Sequence, residues 1–74
     1  MDISQSWVEI ATGECILTKH GTKPLMLAYS SGSPTTEDTM GVSVNIPQRF
    51  PLVAGKTLWA KAPKTNISIT VEII

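Results

Sequence analysis

The chain has 74 residues, 42% of them hydrophobic and 16% charged, and its six basic residues balance six acidic ones. This length predicts one β domain over residues 1–74, which buries only roughly 60% of its unfolded surface and gains limited stability from its own core. The zero net charge counts against non-specific binding to nucleic acid, because such binding depends on an excess of Lys and Arg.

The first six residues show neither the basic region nor the apolar region of a secretion signal. No apolar run elsewhere approaches the length needed to span a bilayer. The sequence therefore predicts a protein that is kept in a cytosol and has no membrane as a partner.

Ser6 to Ala11 and Glu14 to Lys19 are the first two predicted strands, and the Thr12-Gly13 turn between them predicts a hairpin. Cys15, beside apolar neighbours, is interpreted as a core residue rather than an active thiol. A single cysteine excludes an intrachain disulfide, and with the one histidine, His20, it cannot supply the usual four ligands of zinc. We therefore predict no metal and no cofactor, and association with other subunits becomes the remaining means of stabilisation.

Leu25 to Ser30 is the third predicted strand, and a polar loop follows from Ser31 to Met40. The adjacent acids of this loop, Glu37 and Asp38, are interpreted as solvated side chains, because the spacing of a Ca²⁺ loop is absent. Gly41 to Ile46 alternates apolar and polar residues, which predicts a half-buried strand.

Residues 48–53 are predicted to be an irregular connection or a short edge strand, limited by two prolines. Thr57 to Ala62 and Ile67 to Ile74 are the last predicted strands. In the final strand one face is entirely apolar and is expected to be core: Ile67, Ile69, Val71 and Ile73. A segment with such strong β preference is expected to lie inside a sheet or under a partner's strand, since its backbone groups would otherwise pair indiscriminately.

About six short strands separated by turns predict an all-β fold, a small antiparallel sandwich or barrel. The tryptophans fall on the more polar side of their strands, Trp7 with Glu9 and Trp59 with Lys61. Either both rings belong to the core, or the sheet has a second apolar face that buries against another copy or another protein. The high hydrophobic content of so small a domain favours the second interpretation.

Five residues are candidates for partner binding: Trp7, Tyr29, Arg49, Phe50 and Trp59. Arg49 and Phe50 combine a planar cation with an aromatic ring between two prolines, and both types are found at binding hot spots. The alternative for Phe50 is that it plugs the open end of a barrel. No nucleophile, base or carboxylate pair occurs at a recognisable spacing, so we predict that the protein is not an enzyme.

Two segments, WVEIATGEC from Trp7 to Cys15 and GKTLWAKA from Gly55 to Ala62, resemble small all-β proteins encoded among the virion genes of tailed bacteriophages. The resemblance implies a phage or prophage structural protein, either a capsid decoration protein or a tail-associated module. It implies a homo-oligomer, with a trimer or a ring favoured, that binds other phage structural proteins. The implied location is the virion, and the host cytoplasm during assembly.

An alternative function is a β-fold binding module that recognises a glycan or a peptide through exposed aromatic residues. Its candidate residues are Trp7, Tyr29 and Trp59, and this function requires the rings to share a surface. A nucleic-acid binder ranks third, because the net charge is zero.

Overall fold

A computed structural model describes residues 1–32, 34 and 40–74 of the chain. These residues form eight β-strands and no helix: β1 Asp2–Ile3, β2 Val8–Ala11, β3 Cys15–Lys19, β4 Leu25–Ser30, β5 Met40–Val42, β6 Gln48–Phe50, β7 Thr57–Lys61 and β8 Ile67–Ile73. The strands make two four-stranded antiparallel sheets that pack together as a sandwich. The predicted all-β fold is confirmed, with two strands more than the six expected.

Sheet I has the strand order β1-β8-β3-β6, and sheet II has the order β2-β7-β4-β5. Among the described strands, only β4 and β5 are neighbours both along the chain and within a sheet. The predicted hairpin between the first two long strands is therefore wrong, because β2 pairs with β7 whereas β3 pairs with β6 and β8. The Thr12-Gly13 turn carries the chain between the sheets, an outcome that its residues do not distinguish from a hairpin.

The core lies between the two sheets, and alternate residues of the longer strands supply it. Cys15 and Leu17 of β3 are fully buried there, which confirms the interpretation of Cys15 as a core residue. The core side chains that are at most 3% exposed are Ile3, Cys15, Leu17, Leu25, Leu27, Leu58, Ala60, Ala62, Ile67 and Ile69.

β8 lies inside sheet I, between β1 and β3. This confirms the prediction that the segment lies inside a sheet, rather than the alternative of a partner's strand that covers it. Its early residues Ile67 and Ile69 are core, but Ile73 is 62% exposed, so the assignment of Ile73 to the core is wrong. Ile73 lines an open pocket of about 310 Å³ together with residues 9–13, so the end of β2 and the turn after it leave this end of β8 exposed. Alternation identifies a face of a strand but does not show how far the cover extends.

The connections at the β5–β6 side also differ from the prediction. The strand predicted over residues 41–46 ends at Val42, because residues 43–47 carry the chain from the edge of sheet II to the edge of sheet I. β6 confirms the edge-strand alternative for residues 48–53. Most of the predicted loop over residues 31–40, including Glu37 and Asp38, lies outside the described residues.

Candidate interaction surface

The outer face of sheet II carries both tryptophans. In β7, Leu58 and Ala60 are buried in the core, so the alternate residues Trp59 and Lys61 point outward. Trp7 precedes β2, and its ring centroid lies 5.8 Å from Lys61 Nζ, within the range of a cation–π contact. Both indoles are half-buried, so the subunit alone encloses neither ring. We name this surface the tryptophan face, defined by Trp7, Glu9, Met26, Ala28, Trp59 and Lys61.

Strand register fixes the neighbours of Trp59. Glu9 of β2 lies directly across from it on one side, and Ala28 of β4 lies across from it on the other. Ala28 is fully buried although it is not part of the core between the sheets, as expected for a small residue beside a large ring. The indole Nε1 donates a hydrogen bond of 3.2 Å to the Ser30 carbonyl, which orients the ring over β4.

Charged and apolar side chains alternate across the tryptophan face. Lys61 lies across from Met26 of β4 and close to Trp7 on its other side. Glu9 is exposed and Lys61 is half-buried, and among the described residues neither takes part in a salt bridge. The Glu9 carboxylate is therefore available to a partner, whereas the Lys61 ammonium already contacts the Trp7 ring.

Tyr29 does not share this surface, because it lies on the inner face of sheet II. It pairs across from Leu58, and its ring packs against the core. Its hydroxyl donates a hydrogen bond of 2.8 Å to the Pro51 carbonyl, so it links β4 to the segment after β6. Burial raises the pKa of Tyr29, and the neighbouring Cys15 adds to this effect. A shared platform of Trp7, Trp59 and Tyr29 is not present.

β6 points Arg49 and Phe50 in opposite directions. Phe50 lies across from Cys15 and packs against the core, which agrees with the alternative of a plug rather than a displayed contact. The Arg49 side chain is 64% exposed, and its Nε donates a hydrogen bond of 2.7 Å to Glu14. This hydrogen bond lowers the pKa of the Glu14 carboxyl and raises the pKa of the Arg49 guanidinium.

A second group of exposed apolar side chains lies on both sides of β6 along the chain. Val44, Ile46 and Leu52 are 47%, 60% and 61% exposed, and they lie just before and just after this edge strand. Sequence reasoning missed this surface, because the alternation of Val44 and Ile46 is the same whether or not another sheet covers it. We name it the β6 flank, defined by Val44, Ile46, Arg49 and Leu52.

Residues 1–32, 34 and 40–74 contain no group of three or more His, Cys, Asp or Glu that could hold a metal ion. Burial raises the pKa of the Cys15 thiol, which keeps it protonated and poorly nucleophilic. His20 is exposed, and its Nε2 shares a hydrogen bond of 2.8 Å with Thr70 Oγ1. Nor does the described part of the chain contain a helix able to cross a bilayer.

Comparisons of the chain with protein-family models, with curated proteins and with solved structures found no match. What the protein does is therefore inferred from its own surfaces. The tryptophan face and the β6 flank both carry apolar side chains outside the core.

Proposed function

We propose that this protein is a non-enzymatic structural protein of a phage or prophage virion, which self-assembles and binds other virion proteins. The tryptophan face is the observation that carries the proposal. Its two half-buried indoles and its methionine belong to the residue types enriched in protein interfaces, and they lie outside the core. The resemblance of the segments around Trp7 and Trp59 to phage virion proteins supports a decoration or tail-associated role.

The assembly that we propose is a trimer or a ring, formed by contact between the tryptophan face of one copy and the β6 flank of the next. Such a contact joins two different surfaces, so it is head-to-tail, and it gives a closed ring when the rotation between neighbouring copies closes. The apolar side chains of the two surfaces support this contact, whereas Arg49 already pairs with Glu14 within the subunit. Many copies then bury additional surface area across a capsid lattice or at a tail tip and stabilise it. This role requires no catalytic reaction.

Two single variants test the head-to-tail contact by light scattering of the purified protein. Met26→Asp places a charge on the tryptophan face, and Leu52→Asp places one on the β6 flank. We expect each variant alone to be monomeric, whereas an equimolar mixture forms a one-to-one dimer through the one intact interface. Ile73→Asp changes an exposed apolar residue outside both surfaces and should leave the oligomer unchanged.

Other outcomes of this experiment contradict the proposal. Wild-type protein that stays monomeric at its highest soluble concentration overturns self-assembly itself. Loss of assembly in Met26→Asp with an unchanged oligomer in Leu52→Asp would show that the tryptophan face pairs with itself, which excludes the head-to-tail ring.

A specific observation favours glycan binding as the second candidate function. Trp7 and Trp59 share one face with Glu9 and Lys61, and aromatic walls with a few polar groups are typical of small-ligand sites. Tryptophan fluorescence separates the two functions. Emission that shifts with protein concentration supports assembly, whereas emission that shifts only on addition of an oligosaccharide supports glycan binding.

A further inference from the structure

One end of the sandwich contains a pocket that lies outside both surfaces described above. Residues 20–24 connect β3 to β4, residues 62–66 connect β7 to β8, and these two turns form the sides of the pocket. Its volume is about 190 Å³. The residues that line it are Lys23, Pro24, Pro63, Lys64, Thr65 and Ile67.

The walls of this pocket are mainly apolar and conformationally restricted. Ile67 is 3% exposed and belongs to the core, so it forms the deep wall. Each of the two turns contains one proline, Pro24 or Pro63, whose ring fixes its own φ angle and restricts the turn. This indicates that the pocket exists before any ligand binds. Since an apolar cavity of about 150 Å³ binds benzene in another protein, this pocket has room for one six-membered ring.

The charge around the pocket is positive. Lys23 and Lys64 are exposed and both line it. A third lysine, Lys19, lies beneath the first turn, where its side chain is fully buried and its Nζ donates a hydrogen bond of 2.9 Å to the Gly21 carbonyl. Among the described residues none of the three lysines forms a salt bridge with a carboxylate.

We infer that this pocket binds a small organic anion, in which a carboxylate or phosphate is attached to one apolar ring. The ring fits between the two prolines and Ile67, and the anionic group meets Lys23 and Lys64 at the mouth. This site is independent of the proposed assembly, since neither lysine belongs to the two surfaces involved.

Titration of the ¹⁵N-labelled full chain, followed by amide chemical shifts, tests the inference with four matched probes. We expect benzoate or phenyl phosphate to shift the amides of residues 20–23 and 64–67 in a saturable manner. Benzyl alcohol, which has the ring without the charge, should bind more weakly, and benzylamine should not bind. The tighter binding of the two anions, benzoate or phenyl phosphate, identifies whether the site prefers a carboxylate or a phosphate.

A charge-removal variant with a matched control completes the test. Lys23→Gln combined with Lys64→Gln should weaken benzoate binding at least about fivefold, and both positions are exposed, so the fold is retained. Lys56→Gln removes an exposed lysine from the turn at the other end of β7 and should have no effect. Equal binding of benzoate and benzylamine, or shifts spread over all the lysines, would overturn the inference.

Discussion

The indole of Trp59 donates its Nε1 hydrogen to the carbonyl of Ser30 at 3.2 Å, so this half-buried ring is fixed against β4. An aromatic side chain that is already oriented loses less conformational entropy when a partner covers it. Among the described residues, the Trp7 indole donates no comparable hydrogen bond, and its defined contact is with Lys61. The two rings of the tryptophan face are therefore held in different ways.

Trp59→Phe should lower the free energy of unfolding by about 1 kcal/mol beyond the effect of the smaller ring, because the Ser30 carbonyl loses its donor. Urea unfolding at one low protein concentration, followed by circular dichroism, measures the change. Trp7→Phe is the control, since it alters a ring of the same type without removing a hydrogen bond to the described residues. Equal losses in the two variants would show that the hydrogen bond contributes nothing to stability.

Ile69→Ala and Ile73→Ala should differ sharply although both residues lie on the same side of β8. Ile69 is 1% exposed, and its truncation leaves a cavity that we expect to cost about 2–5 kcal/mol. Ile73 is 62% exposed, so its truncation should change the free energy of unfolding by no more than about 0.5 kcal/mol. A large loss in the free energy of unfolding on Ile73→Ala would mean that this end of β8 is covered, for example by a second copy. In that case the loss would depend on protein concentration.

Lys19→Met should leave stability unchanged or raise it. The variant keeps the long apolar stem of this fully buried side chain and removes an ammonium group that makes one hydrogen bond to the described residues. Lys19→Ala removes the stem as well and should cost about 2–4 kcal/mol through the cavity that it leaves. Thermal and urea unfolding compare the two. A Met variant as unstable as the Ala variant would show that the charge itself stabilises the turn.

Stability should fall as the pH rises above about 8.5, the ordinary pKa of a thiol. Burial raises the pKa of Cys15 in the folded protein, so the unfolded chain releases this proton first and unfolding is favoured over that interval. Below the ordinary pKa of a thiol, Cys15 is protonated in both the folded and the unfolded chain, so its contribution to the free energy of unfolding is fully present. Cys15→Ala should flatten the dependence above about pH 8.5, and an identical slope in wild type and variant would contradict the assignment.

Sequence patterns predicted which residues face the core better than they predicted which strands pair. Leu25 to Ser30 was located correctly, and Cys15, Ile67 and Ile69 are buried as expected. Thr12-Gly13 predicts a hairpin because turn residues specify a reversal of direction, but they do not specify the sheet in which the next strand lies. Long-range pairing, such as that of β2 with β7, is decided by the packing of the two sheets.

The candidate surface was predictable only in part. The parity of Trp7 with Glu9 and of Trp59 with Lys61 indicated an outward face, and register places these residues together on sheet II. Tyr29 and Phe50 were not separable from them by sequence, because an aromatic ring suits a core and an interface equally. Their inward orientation depends on which residue lies across from each, Leu58 and Cys15 respectively.

The position of β8 has a consequence for synthesis in the cell. This strand joins β1 to β3, so a nascent chain that ends before residue 67 has a first strand without a neighbour, and only β3 and β6 of sheet I are present to cover sheet II. Folding must wait until the ribosome has delivered this strand, and such late, distant pairing is slow. Chains that stop before β8 therefore stay open to proteases.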